Sequence, residues 1–166
     1  MTSWSKDGWD FAPLPLAKLK GRTGLDVLQA LLRGELPAPP ICRALDFGLV
    51  EVEKGRAIFE GLPNREYANP FGAVHGGWTS ADLDSCMACA VHTMLPADTF
   101  YTTLEFKLNL IRPVMPETGR VRAEGKIVHL GGRTATSEGR LTDAAGKLLA
   151  HGTETCLIFE ASSSRV

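Results

Sequence analysis

The amino-acid sequence predicts an α+β fold in which a long antiparallel β-sheet is wrapped around one central α-helix, with an N-terminal helical extension. Three observations lead to this prediction: two short strand patterns come first, one long helical pattern follows, and four strand patterns complete the chain. A sheet that meets only one helix must wrap that helix or leave an apolar face exposed, which favours the α+β class.

The composition describes one domain. The chain has 166 residues, a mass of 17.9 kDa and 44% hydrophobic residues, and at this length folding buries roughly 70% of the extended-chain surface. Its 18 lysines and arginines against 19 aspartates and glutamates give a net charge of -1, which excludes a general electrostatic attraction to nucleic acid or to an anionic membrane. The start is polar and no apolar run reaches ~20 residues, so we expect a cytoplasmic protein. Because the four cysteines are scattered, we expect no disulfide framework.

Residues 1–42 are predicted to form an N-terminal arm. Within the arm, Thr23 is expected to cap a short amphipathic helix that ends at Gly34 and the prolines after it. We expect the main domain to span residues 43–160 and a short C-terminal tail to span residues 161–166.

The main domain opens with two strands on either side of the turn Lys54-Gly55. After a loop rich in proline, asparagine and glycine, a long helix is predicted over about residues 76–94, and Pro96 stops it. One row of this helix carries small side chains, which we expect to allow close approach to the covering sheet: Ala81, Ser85 and Ala88.

Four strands are predicted after the helix. Apolar and polar residues alternate over residues 104–110, and Pro113 and Pro116 end that strand. Glycine-containing turns separate the next three strands, which are expected over about residues 119–130, 133–143 and 147–159. We expect these four strands to form an antiparallel meander.

The segment before the long helix has the composition of an anion-binding turn. Asn69 and the run His75-Gly76-Gly77 lie at or just before the helix start, where backbone N–H groups lack intrahelical partners and favour developing negative charge. The glycines are equally consistent with a tight turn that binds nothing.

Two aspartates follow on the helix, and they cannot both face one site, because Asp82 and Asp84 lie about 200° apart around its axis. Asp84 shares its row with Ala81, Ala88 and Val91. It is therefore either a partly desolvated catalytic group or a structural carboxylate with its own partners. Asp82 is solvated, buried with a partner, or a second active-site acid.

The spacing of these groups predicts a dimer if the protein is an enzyme. Asp84 follows Gly76 by eight residues, about 12 Å along the helix axis, whereas a reacting carbonyl needs its oxyanion donor and its base each at roughly 3 Å. Two antiparallel copies of the helix in a two-fold dimer would bring Gly76 of one chain to Asp84 of the other.

These residues resemble the hotdog-fold acyl-CoA thioesterases of the phenylacetate-degradation (PaaI-like) type. The resemblance covers about residues 43–160 and rests on Asn69, on His75-Gly76-Gly77 and on Asp84 nine residues after that histidine. Three further segments match in order and spacing: 103–113, 129–133 and 143–153.

The resemblance implies a hotdog fold that forms homodimers and commonly homotetramers. It also implies hydrolysis of an acyl-CoA thioester without a cofactor or metal, because CoA is part of the substrate. Asp84 would be the general base or nucleophile, and the Gly76 N–H with the Asn69 side chain would polarise the thioester carbonyl. Thr103 falls where relatives place a hydroxyl that positions water, and His75 would shape the turn.

Candidates for substrate binding are less sharply defined. Gly77 is a candidate for substrate binding. Arg112, Arg133 and Arg140 could contact the CoA phosphates, Arg133 best because it follows the turn Gly131-Gly132, although strand and turn arginines are commonly just solvated. Four apolar residues could line the acyl pocket or simply belong to the core: Phe71, Trp78, Met87 and Phe106.

Other interpretations stay open at this point. Cys86, Cys89 and His92 follow one another at three-residue spacing, as in a metal or redox site, but no further ligands complete a tetrahedral set. A hotdog hydratase or dehydratase would use a histidine such as His75 opposite an acid. A non-catalytic acyl-CoA sensor would usually carry an attached output domain.

Overall fold

The computed structural model describes residues 3–160, so the predicted tail at 161–166 lies outside the described residues. The helices are α1 (Leu16–Leu19), α2 (Gly24–Leu32), α3 (Pro40–Leu45) and α4 (Gly76–His92). The strands are β1 (Phe47–Glu53), β2 (Arg56–Gly61), β3 (Thr99–Leu110), β4 (Val121–Leu130), β5 (Thr134–Asp143) and β6 (Leu148–Glu160). None of the helices within 3–160 is long and apolar enough to cross a membrane.

The predicted α+β architecture is confirmed: one antiparallel sheet of six strands packs on α4. The predicted helix α2 is also present, and Thr23 caps it through a reciprocal capping box with Asp26. Two short helices, α1 and α3, were not predicted. The proline run expected only to end α2 also starts α3, because Pro40 takes the first helical position, where its missing N–H costs nothing.

The predicted meander is correct for β4, β5 and β6 but wrong for β3. The strand order is β1-β2-β4-β5-β6-β3, so β3 pairs with β6 at one edge of the sheet while β4 pairs with β2. The physical reason lies in the connection over residues 111–120. It contains Pro113 and Pro116, and it is too long and too stiff for the tight hairpin that would place β3 beside β4.

Glycines of the sheet, rather than the small row of the helix, allow the close contact between α4 and the sheet. A Cβ on Gly125 of β4 would collide with the Cys86 carbonyl oxygen, and one on Gly139 of β5 would lie 2.7 Å from Met87 Cγ. The predicted small row lies roughly on the opposite side of the helix from Cys86 and Met87: Ala81 and Ser85 are partly exposed, although Ala88 is buried. The prediction that this row faces the sheet is therefore wrong.

The N-terminal arm docks on β1 and on the helix. Trp4 is buried, its indole Nε1 donates to Asp46 Oδ1 at 3.1 Å, and Gly48 leaves the space that its ring occupies. Beneath the arm lies a largely apolar cavity of about 280 Å³. Its walls come from the arm, the first two strands, α4 and the start of β3, and include Leu28, Leu31, Cys42, Phe59, Cys89 and Tyr101.

Candidate active site

The loop before α4 presents two hydrogen-bond donors that have no acceptor among residues 3–160. Asn69 Oδ1 accepts from the Phe71 N–H at 2.9 Å, which holds the loop and leaves the side-chain NH₂ of Asn69 free. His75 caps the helix, because its Nδ1 accepts from the Gly77 N–H at 2.9 Å. The Gly76 N–H is left without a partner in this part of the chain, at the helix N-terminus.

These two donors belong to a first cluster of residues around one cavity of about 250 Å³, between the loop over residues 69–76, called the donor loop below, and the end of β3. Asn69, Gly76, Leu110 and Arg112 line it, together with Thr79 and Ala150. A Cβ on Gly76 would lie 2.9 Å from Leu110 Cδ1, so glycine keeps the approach to this N–H open. A negatively polarised oxygen in this cavity can accept hydrogen bonds from the two donors, and the positive end of the helix dipole stabilises its charge.

A second cluster lies further along the helix and joins three side chains from different elements. Thr103 Oγ1 of β3 is 3.1 Å from Asp84 Oδ1 of α4 and 3.0 Å from Glu154 Oε1 of β6. Asp84 is half-buried, and burial raises the pKa of its carboxyl group, while the hydrogen bond from Thr103 opposes that rise. The arrangement provides a carboxylate that can accept a proton or attack a carbonyl.

A β-bulge in β3 aims Thr103 at the helix. The pairing with β6 runs Thr103↔Cys156 and then Glu105↔Thr155, which leaves Leu104 as an extra residue. Such an insertion shifts the alternation of the strand by one position and increases its local bend. Leu104 is exposed, as are Phe106 and Leu110 of the same alternating pattern.

Sequence reasoning missed Glu154, which is only 1% exposed. It lies on the helix-facing side of β6 together with Ala150, Gly152 and Cys156. A charged residue at an inward position of an alternating strand was the available signal. Identifying its partners required the register of β3 and β6.

The two clusters are separate within one chain. Gly76 starts α4 and Asp84 is eight residues later, about 12 Å along the axis. The predicted residues Asn69, Gly76 and Arg112 are brought together in the first cluster, and Asp84 and Thr103 in the second. A single thioester carbonyl cannot contact both clusters of the same chain.

Asp82 faces away from both clusters. It is fully buried, neither carboxylate oxygen has a hydrogen-bond partner within the described part of the chain, and its neighbours are Trp78 and Gly61. It is therefore neither solvated nor buried with a partner there. Burial raises the pKa of Asp82 to about 8, so the group is held as a neutral acid in the core at neutral pH.

Replacing Asp82 by asparagine is expected to stabilise the protein at neutral pH. A carboxyl group with a raised folded-state pKa must keep a proton that the unfolded chain releases, so the wild type loses stability as the pH rises from about 4 to about 8. The asparagine variant does not titrate. Its advantage in urea unfolding should be on the order of 3 kcal/mol larger at about pH 7.5 than at about pH 5. An advantage that does not change with pH would contradict this account.

The predicted substrate-binding residues have different locations. Trp78 belongs to the core, donates from Nε1 to the Leu45 carbonyl at 2.7 Å and stacks on Tyr67. Phe71 is 94% exposed on the loop. The N–H of Gly77 is occupied by His75. Arg133 and Arg140 are exposed and do not line the cavity of the first cluster. Met87 is in the core, and Phe106 is on the edge strand β3.

The cysteine-containing motif of α4 does not gather into a metal site. Among residues 3–160 no three histidine, cysteine or acidic side chains are placed to hold a metal ion. Cys86 is buried against the sheet, whereas Cys89 and His92 line the cavity under the arm. Burial raises the pKa of Cys89 to about 12 and lowers the pKa of His92 to about 4, so both are neutral at pH 7.

Comparisons with known proteins agree with this geometry. The family model of the thioesterase superfamily matches residues 71–150. A protein of Saccharolobus solfataricus, whose own naming as an esterase is provisional, is 32% identical over 111 residues, 67% of this chain and 77% of that protein. The 1,4-dihydroxy-2-naphthoyl-CoA hydrolase of Listeria monocytogenes is 28% identical over 101 residues, 61% of this chain and 80% of that enzyme.

A solved structure extends the comparison to the fold. A variant of the phenylacetic acid degradation protein PaaI of Thermus thermophilus superposes with a TM-score of 0.64 at 30% identity, covering 71% of this chain and 97% of that one. The region matched by the family model includes the His75-Gly76 part of this loop, α4 and the strand that carries Thr103, but neither Asn69 nor Glu154. The chain therefore belongs to the thioesterase superfamily, and its sheet and central helix form the hotdog fold of the PaaI-like thioesterases.

Proposed function

We propose that this protein hydrolyses acyl-CoA thioesters to free CoA and a carboxylic acid. Membership of the thioesterase superfamily supports thioester hydrolysis in general. The observation that carries the specific proposal is the pair of clusters on α4: two free donors at its N-terminus, and a half-buried carboxyl group held by a hydroxyl eight residues later.

In the proposed reaction the thioester carbonyl oxygen accepts from the Gly76 N–H and the Asn69 side-chain amide. Negative charge develops on that oxygen as the carbonyl is attacked, and donors already in place stabilise it. Asp84 acts as the general base for water or as the nucleophile itself, and Thr103 holds it in position. His75 supports the turn, since its Nδ1 is already bonded to the Gly77 N–H, which also leaves it poorly suited to be a hydratase base.

We further propose that the site is completed by a second copy of the chain. The separation of about 12 Å between the clusters is removed if a two-fold axis places the partner's Asp84 opposite Gly76. The edge strand β3 supports this assembly, because it is long, pairs on one side only among the described strands and carries exposed apolar side chains: Leu104, Phe106 and Leu110.

The cavity beneath the N-terminal arm is our candidate for the acyl group. Cys89 lines this cavity, and the helix surface between Asp84 and Cys89 carries the small side chains of Ser85 and Ala88. An acyl chain that starts at Asp84 can pass over this surface and reach the apolar cavity. Its volume of about 280 Å³ suits an aryl or a medium aliphatic group.

The function is tested by free-thiol release from purified protein supplied with a panel of CoA esters. The panel contains acetyl, hexanoyl, decanoyl, palmitoyl, phenylacetyl and benzoyl esters. We expect strong turnover of an aryl or medium-chain ester and weak turnover of acetyl-CoA. Absence of turnover above the uncatalysed rate with every ester would overturn the proposal.

A further inference from the structure

The Thr103 hydroxyl lies between two carboxyl groups that compete for its single hydrogen. Its Oγ1 is 3.1 Å from Asp84 Oδ1 and 3.0 Å from Glu154 Oε1. A hydroxyl donates one hydrogen bond and can accept two. If both carboxyl groups were ionised, only one of them could receive that hydrogen, and the other would face an oxygen lone pair.

The surroundings of Glu154 favour its neutral form. The side chain is 1% exposed, Oε1 also accepts from the Cys156 thiol at 3.0 Å, and Oε2 has no hydrogen-bond partner among residues 3–160. On β5 its register partner is Ser137, which is uncharged. The titratable groups that face Glu154 within the described chain are Asp84, Cys86 and Cys89 of α4, Tyr101 and Glu105 of β3, and Cys156 of β6. None of these groups is a cation that would stabilise an ionised Glu154. Burial raises the pKa of Glu154 to about 7.

We propose that Glu154 is a positioning residue of this site: as a carboxylic acid it donates to Thr103 Oγ1, and the Thr103 hydrogen is thereby directed to Asp84. The chain of donors runs from Glu154 through Thr103 to the Asp84 carboxylate, and each of its two links has hydrogen-bond length. The consequence for catalysis rests on the proposed role of Asp84 as base or nucleophile.

The arrangement makes the site sensitive to pH on its alkaline side. When Glu154 loses its proton, it accepts from Thr103 and withdraws that hydrogen from Asp84. The second negative charge also opposes ionisation of Asp84. With the Glu154 pKa at about 7, kcat of the wild type should fall about tenfold between pH 6 and pH 8.

The Glu154→Gln variant tests this role because its amide can donate to Thr103 at every pH. We expect its kcat at pH 6 to lie within about twofold of the wild type and to stay level up to pH 8. Glu138→Gln, on the exposed face of the neighbouring strand β5, is the matched control and should keep the wild-type profile. Equal alkaline limbs in Glu154→Gln and the wild type would overturn the proposal while leaving thioester hydrolysis intact.

A carboxyl ¹³C NMR titration gives a readout that does not depend on turnover. We expect one glutamate carboxyl resonance to titrate near pH 7 in the wild type and to be absent in Glu154→Gln. The Asp84 resonance should lose its response near pH 7 in that variant, whereas the Asp82 resonance, with a pKa of about 8, should titrate alike in both proteins. Titration of Glu154 near the ordinary glutamate value of about 4.3 would overturn the proposal. If no ester is turned over, this titration still decides the proposed hydrogen-bond direction, so the two proposals fail separately.

Discussion

Replacement of Asp84 by asparagine should lower kcat for the preferred ester by about 10²–10⁴-fold. Asparagine keeps the size of the side chain and can still accept from Thr103, but it can neither take a proton from water nor attack the carbonyl. Burial raises the pKa of Asp84. The wild-type rate should therefore fall on the acid side at a pH above the pKa of a free aspartate. Stopped-flow or steady-state thiol release measures both effects.

Asp82→Asn is the matched control for this variant. It makes the same chemical change two residues earlier on α4, at a carboxyl group sealed in the core rather than beside Thr103. We expect its kcat to match the wild type at pH 7. Equal residual rates in Asp84→Asn and the wild type, with the fold and assembly preserved, would eliminate Asp84 as the reacting group.

Mixing two inactive variants should restore activity if the site spans two chains. One variant is Asp84→Asn and the other is Asn69→Asp, which keeps the Oδ1 acceptor for the Phe71 N–H but loses the amide donor. A mixed dimer then contains one site with both defects and one intact site. Since half of randomly assembled dimers are mixed, co-expressed or co-refolded chains should reach about a quarter of the wild-type rate.

The control pairs two defects of the same cluster. Asp84→Asn mixed with Thr103→Val leaves every site of a mixed dimer damaged, because both residues lie in the second cluster. We expect no recovery in this mixture. Mass spectrometry shows whether the mixed dimer of Asp84→Asn and Asn69→Asp has formed. If it has formed and thioesterase activity does not recover, each site is built within one chain.

Much of the first cluster could be predicted from local sequence. Asn69 and His75 act through contacts with residues two positions away, the Asx turn to Phe71 and the cap on Gly77, and Gly76 leaves its N–H free because it is the first helical residue. Short-range chemistry of this kind is encoded by residue type and spacing. The same holds for the cap at Thr23, which needs only Asp26.

The second cluster could be predicted only in part. Asp84 was recognisable from its spacing to the histidine, but its contact with Thr103 depends on a bulge at Leu104. Glu154 reaches Thr103 only because β3 pairs with β6. Strand pairing is a long-range choice that alternation does not encode. The position of β3 at the sheet edge and the identity of the third residue therefore followed from the tertiary structure.

By itself the sequence determined the fold class, the positions of α2 and α4, the strand segments and the residues of the donor loop, because each depends on periodicity or on neighbours within a few positions. Tertiary structure alone decided the strand order, the isolation of Asp82 in the core, the glycine contacts under α4 and the hydrogen bonds that join Asp84, Thr103 and Glu154. These features depend on which distant segments meet, and burial then sets the charge state of the groups brought together.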